Sequence, residues 1–163
     1  MPVTYHPIAT QTLGSAAATV TFSSIPSTYT DLILVAAITA GNTGDGYLRF
    51  NSDTGNNYSD TVVRGNGSAA SSVRDTSVPG IDIGPTSVIT GSEVGIVKIQ
   101  IQNYSNSTTY KTSLIRFDEG TNFVNGIVGL WRNTNAITSI DIVSRSGTWG
   151  VSSTFTLYGI KAA

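Results

Sequence analysis

Apolar and polar residues alternate with a period of two along most of this chain. The pattern is plainest in the last quarter, residues 137–160. Ile140 and Ile142 share one face there, and Thr138, Asp141 and Val143 fall off it. Further on, Phe155 and Leu157 face one way and Thr154, Thr156 and Tyr158 the other, with Gly147 and Gly150 as punctuation between the two runs. A period of two marks a strand with one buried face. Such a strand cannot bury its apolar row alone, so the pattern calls for a second sheet to close over it.

Upstream, the same reading predicts strands at residues 7–13, 18–22, 32–39, 47–51, 61–64, 94–104, 112–117 and 123–131. Residues 32–39 are the most apolar. Their length, their β-branched content and the Gly41 to Gly44 stop favour a central strand over a short helix. In residues 94–104, Ile96, Lys98, Gln100 and Gln102 fall on one side, and Val97, Ile99, Ile101 and Asn103 on the other. Residues 65–85 are rich in Gly, Ser, Asp and Pro and show no period, which predicts a long exposed loop. Residues 1–6 precede the first clear strand and read as an N-terminal arm. No segment carries a helical period of more than two turns. About 9–10 short strands at this spacing predict one all-β domain over 1–163. The form expected is a jelly-roll-like, two-sheet antiparallel β-sandwich, because long connections argue against an up-and-down barrel. An immunoglobulin-like sandwich is the alternative topology.

Composition narrows the chemistry. The 163 residues contain no cysteine and one histidine, His6, which leaves no set of thiolate or imidazole ligands for a structural zinc. Charged residues make up 12% of the chain and the net charge is −1. A nucleic-acid-binding surface would show a basic stripe, and here the Lys and Arg residues are scattered singly. No apolar run approaches the roughly 20 residues of a membrane-spanning helix. The N-terminus does not show the basic-then-apolar order of a secretory leader.

Candidate chemistry is sparse. His6, beside Pro7, has no nucleophile motif to serve and reads as a surface residue near a chain end. Asp53, Asn56 and Asp60, with Asp45 nearby, offer oxygen ligands for calcium. Gly55 is misplaced for a helical calcium loop and no Glu closes it, so turn formation fits these residues better. Asp118 and Glu119 are adjacent acids, but neighbours on a strand point to opposite faces, which does not suit paired acid–base work. Trp131, Trp149, Tyr47, Tyr58, Tyr104, Tyr110 and Tyr158 could together offer a sugar-stacking platform. Trp131, ending an apolar run, reads as core. Trp149, between glycines, reads as the more exposed ring. The glycosylation sequons at Asn57, Asn66, Asn103 and Asn106 matter only on a glycosylating secretory route. No catalytic, cofactor-binding or metal-ligating residue is assigned, and the expectation from the residues is a protein that is not an enzyme.

Several segments together resemble short structural proteins of tailed phages, of the kind found in phages of marine and freshwater bacteria. The opening run from Tyr5 to Gly14, Val20 to Leu32, Leu48 to Asn51 with Asn57 to Ser59, Ile101 to Tyr104 and Tyr110 to Thr112 carry the likeness. So do Gly129 to Trp131, Ile137 to Ile140 and the closing Ser153 to Ile160. These are strand and turn patterns, and they span most of the chain outside residues 65–85. The resemblance implies a virion protein: a capsid decoration or cement protein on the outer surface of the head, expected as a homotrimer bound to the major capsid protein or to other virion proteins. A tail-fibre or appendage domain binding a host glycan or surface protein is the alternative. Residues 1–6 and 65–85 are where docking is expected.

Overall fold

The computed structural model describes residues 4–39, 45–84, 94–119 and 123–161. Among the described residues, twelve strands run in the order β1 (Tyr5–Thr12), β2 (Thr19–Phe22), β3 (Asp31–Thr39), β4 (Gly46–Phe50), β5 (Tyr58–Gly65), β6 (Ala70–Val78), β7 (Ile81–Asp82), β8 (Val94–Gln102), β9 (Lys111–Glu119), β10 (Phe123–Trp131), β11 (Ile140–Ser144) and β12 (Thr154–Ile160). Eight of them form one antiparallel sheet in the order β1-β12-β3-β8-β9-β10-β5-β6. The other four form a second, in the order β2-β11-β4-β7. The expected two-sheet antiparallel β-sandwich is therefore the fold, and no helix occurs among the described residues.

Alternation explains how the two sheets meet. Leu32, Leu34, Ala36 and Ile38 of β3, Val97, Ile99 and Ile101 of β8, and Phe155 and Leu157 of β12 are all buried. They face Val20, Phe22, Leu48, Phe50, Ile140 and Ile142 of the smaller sheet, in one contiguous core. The strands at 137–160 do not form a hairpin with each other. β11 lies between β2 and β4, whereas β12 lies between β1 and β3 in the other sheet.

Two expectations are corrected. The stretch 65–85 is not a long loop: it holds the end of β5, all of β6 and β7, while Pro85 lies outside the described residues. β6 pairs with β5 along its length, and Ala70 to Ser77 are all exposed. It forms the sheet edge and buries neither face, so it has no apolar row to signal a strand. Of the arm expected at 1–6, two residues already belong to the sheet. Tyr5 and His6 already pair with Ile160 and Gly159, and residues 1–3 lie outside the described residues.

Gly159 lies under the Tyr29 ring, and a Cβ built on it would sit 2.3 Å from that ring. Gly159→Ala is expected to lower stability by about 1–3 kcal/mol, the usual cost of overpacking a filled site. Denaturant unfolding checks this; an unchanged midpoint would show that Tyr29 has room to move.

Candidate functional site

The outer face of the eight-stranded sheet, turned away from the smaller sheet, is uncovered among the described residues. Side chains there stand in cross-strand rows. One row runs Gln100, Leu114, Val128, Thr61 and Arg74 across β8, β9, β10, β5 and β6. The next runs Val35, Lys98, Arg116, Gly126, Val63 and Ser72. A third includes Ile96, Asp118, Val124 and Gly65. Val63, Leu114, Val128 and Val124 are 58%, 57%, 56% and 55% exposed. A Cβ built on Gly126 would meet nothing within 4 Å, so the middle of the face is open.

Two shallow depressions cross this face and meet at Thr112 and Val128. One, of about 160 Å³, takes in Gln100, Gln102 and Leu114; the other, of about 280 Å³, takes in Ser59, Thr61, Arg74 and Leu130. Charge is sparse and sits around the apolar residues: Lys98, Arg74, and Arg116 in a 3.0 Å ion pair with Asp118. Toward β1, the Thr10 and Thr156 hydroxyls lie 3.1 Å apart and those of Thr12 and Thr154 3.3 Å apart, forming a hydroxyl ladder. An apolar centre with a polar, charged rim is the anatomy of a protein contact surface.

A second cluster lies between the sheets, where β7 meets β4 and β5. The Asp60 carboxylate accepts the Asp82 backbone N–H at 3.1 Å through Oδ2, while its buried Oδ1 makes no hydrogen bond. Asp82 Oδ1 accepts the Gly84 N–H at 3.0 Å. Arg145 Nη1 lies 3.4 Å from Asp45 Oδ2 and 3.5 Å from Asp82 Oδ2, and its guanidinium caps the Tyr47 ring at 4.6 Å. Burial pushes the Asp82 carboxyl up to about 7, with Asp45 and Asp60 adding to the rise and Arg145 opposing it. Burial also raises Asp60 and Asp45. One guanidinium shared by carboxylates at these distances does not fully offset the cost of removing them from water.

The residues singled out in the sequence fall into separate places. Asp53 accepts the Gly55 N–H at 2.8 Å, the Asn57 amide at 2.9 Å and the Trp131 indole N–H at 2.7 Å. Burial raises its carboxyl, but those three hydrogen bonds outweigh it and hold Asp53 below its ordinary value. Asp53 is thus a turn anchor. Asp60 and Asp45 belong instead to the cluster around Asp82 and Arg145, so the four residues suggested for calcium do not converge on one point. Among the described residues no three His, Cys, Asp or Glu side chains are grouped to hold a metal ion. His6 packs beside Tyr29, ring centres 5.9 Å apart. Asp118 pairs with Arg116, and the Glu119 side chain lies outside the described residues.

The aromatic platform is corrected. Trp131, Trp149, Tyr58 and Tyr104 are fully buried. Trp149 reads as exposed from its flanking glycines, yet its ring packs where Gly46 leaves space and its Nε1 donates to the Ile142 carbonyl at 3.1 Å. Tyr110 and Tyr5 are the exposed rings, and Tyr5 meets Tyr158 edge to face at 6.4 Å. Neither Asp82 nor Arg145 was singled out in the sequence. The available signal was an acid held between two β-branched residues, Ile81 and Ile83.

No protein-family model matches the chain, and no curated protein matches it. Among solved structures it is similar to alginate lyase Aly36B, at TM-score 0.37 and 12% identity, over 93% of this chain and 77% of that one. A double mutant of that enzyme in complex with alginate trisaccharide matches at TM-score 0.35 and 9% identity, over 93% and 80%. Another, with alginate tetrasaccharide, matches at 0.33 and 10%, over 94% and 79%. At these scores and identities the likeness assigns no activity or substrate to this chain. The expectation that the protein is not an enzyme is corrected all the same: the three solved structures named above are those of an enzyme, and the exclusion is withdrawn.

Proposed function

We propose that this chain is a phage virion structural protein of the capsid-decoration kind, and that it docks on a neighbouring virion protein through the outer face of its eight-stranded sheet. The observation that carries the reading is the grouping of Val63, Leu114, Val124 and Val128, each more than half exposed, on that one open face. Contiguous exposed apolar surface in a chain with abundant polar residues marks a contact site. The low charge of the chain suits this, because interface centres are depleted in charge. The sequence resemblance supplies the virion setting. The chain's repeated passage between sheets, from β1 to β2, β2 to β3, β3 to β4 and β4 to β5, supports a jelly-roll-like arrangement.

Gly126→Arg tests the reading. The added side chain enters open space on the outer face and Gly126 needs no unusual backbone conformation; it stands opposite Arg116, but that like-charge pair is solvent-exposed and Arg116 keeps Asp118, so the fold is expected to survive. Occupancy on purified heads lacking the protein is expected to fall at least tenfold, a loss of about 1.4 kcal/mol or more in binding. Leu114→Asp is expected to act likewise. Undiminished occupancy by both folded variants would show that docking uses another surface.

A further inference from the structure

We propose that two copies of this chain join edge to edge through β6, antiparallel about a dyad at Val73, so that their eight-stranded sheets become one. This goes beyond the docking reading and does not depend on it.

β6 ends the sheet order, and its far side pairs with nothing among the described residues. Ala70 to Ser77 are exposed, so the unpaired backbone groups of this edge are open to solvent. Such a row is a ready template for another strand. Natural edges are blunted by prolines, bulges or charged side chains; here a bulge closes one end, Arg74 and Asp75 are the charges along the edge, and there is no proline within β6. The pairing with β5 slips between Tyr58 and Ser59, where Ser77 bulges out with φ 56°. The regular stretch is therefore Ala70 to Thr76, and Val73 is its midpoint.

Symmetry and charge then select the register. In a continuous antiparallel sheet, directly opposed residues point to the same side. A dyad normal to the sheet keeps each side chain on its own side, so the dyad must pass through a residue and not between two. Centring on Arg74 or Asp75 would set like charges face to face. Centring on Val73 opposes Val73 to its own copy, Arg74 to Ser72, Asp75 to Ser71 and Thr76 to Ala70. That register pairs the whole regular stretch, opposes no like charges, and joins two valines that are 43% exposed in the single chain. A partner strand of other sequence would have no reason to share this centre.

Cysteine cross-linking reads both the contact and its register. The chain has no native cysteine. In Val73→Cys the two thiols would face each other across the dyad at a Cα separation of about 4.5–5.5 Å, within disulfide range. In Thr76→Cys they would be roughly 20 Å apart. Under mild oxidation Val73→Cys is expected to form a covalent dimer at least tenfold faster than Thr76→Cys. One strand edge is a small contact, so the unlinked dimer is expected only at high micromolar concentration. Sedimentation velocity over a concentration series should show it, and Val73→Lys should return it to monomer with an unchanged β-sheet circular dichroism spectrum. Equal cross-linking rates, no cross-linking by Val73→Cys, or a dimer that Val73→Lys leaves intact would each overturn the proposal.

Discussion

Wild-type protein is expected to lose stability as the pH rises from about 4 to about 7, and Asp82→Asn is expected to flatten most of that fall. The Asp82 carboxyl moves from 3.8 to about 7 on folding, chiefly through burial. Between those values the folded chain holds a proton that the unfolded chain releases, so stability falls as pH rises. Below the lower value both states are protonated and the folded chain has its full advantage; above the upper one both are ionised and the curve levels. The shift sets a ceiling of about 4 kcal/mol on the effect. Asp45 and Asp60 are raised in the same direction and add to the slope. Asp53 acts oppositely: held low, it stabilises at neutral pH and loses that contribution in acid. An asparagine at 82 keeps an acceptor for the Gly84 N–H while removing the buried charge. Thermal melts at half-unit pH steps check this. A slope in Asp82→Asn equal to that of the wild type would show that Asp82 does not control it.

The second large effect is expected at Trp131. Its ring stacks on Tyr58 with centres 6.2 Å apart and planes at 16°, and meets Phe50 at 5.5 Å. The Tyr58 hydroxyl donates to the Asp53 carbonyl at 3.2 Å and accepts the Phe50 N–H at 3.0 Å, so the three rings and the Asp53 turn form one unit. Trp131→Ala is expected to cost about 3–5 kcal/mol, the range for removing a large buried ring. Trp131→Phe keeps most of the packing but removes the indole donor from Asp53 Oδ2, which still accepts the Asn57 amide, a cost of about 0.5–1.5 kcal/mol. Guanidinium unfolding separates the two. If Trp131→Ala unfolded at the wild-type midpoint, the ring would not belong to the core.

Strands that bury one face were legible in the sequence because burial leaves a trace in every second residue. The run Val97, Ile99, Ile101 is buried as the alternation requires, and so are Phe155 and Leu157. β6 is illegible for the opposite reason, since a strand exposed on both sides leaves no period. β7 has two residues and is held by its pairing with Tyr47 and Leu48, more than thirty positions upstream. Trp149 reads as exposed because its flanking glycines suggest a turn. What buries it is Gly46, about a hundred positions upstream, whose missing side chain makes room for the ring. The Asp45, Asp60, Asp82 and Arg145 cluster is assembled from four separate segments, and nothing local to any one of them names the others. The outer face is a similar case. Leu114 and Val128 each look like the minor face of a strand, and only the pairing of β9 with β10 sets them side by side.

Antibody-gold labelling of intact phage particles, viewed by electron microscopy, tests the central claim most directly. The docking proposal expects label over the head surface of particles carrying the wild-type chain, and bare heads where the chain is Gly126→Arg. Label confined to the tail or its fibres, or heads equally decorated by the variant, would contradict it.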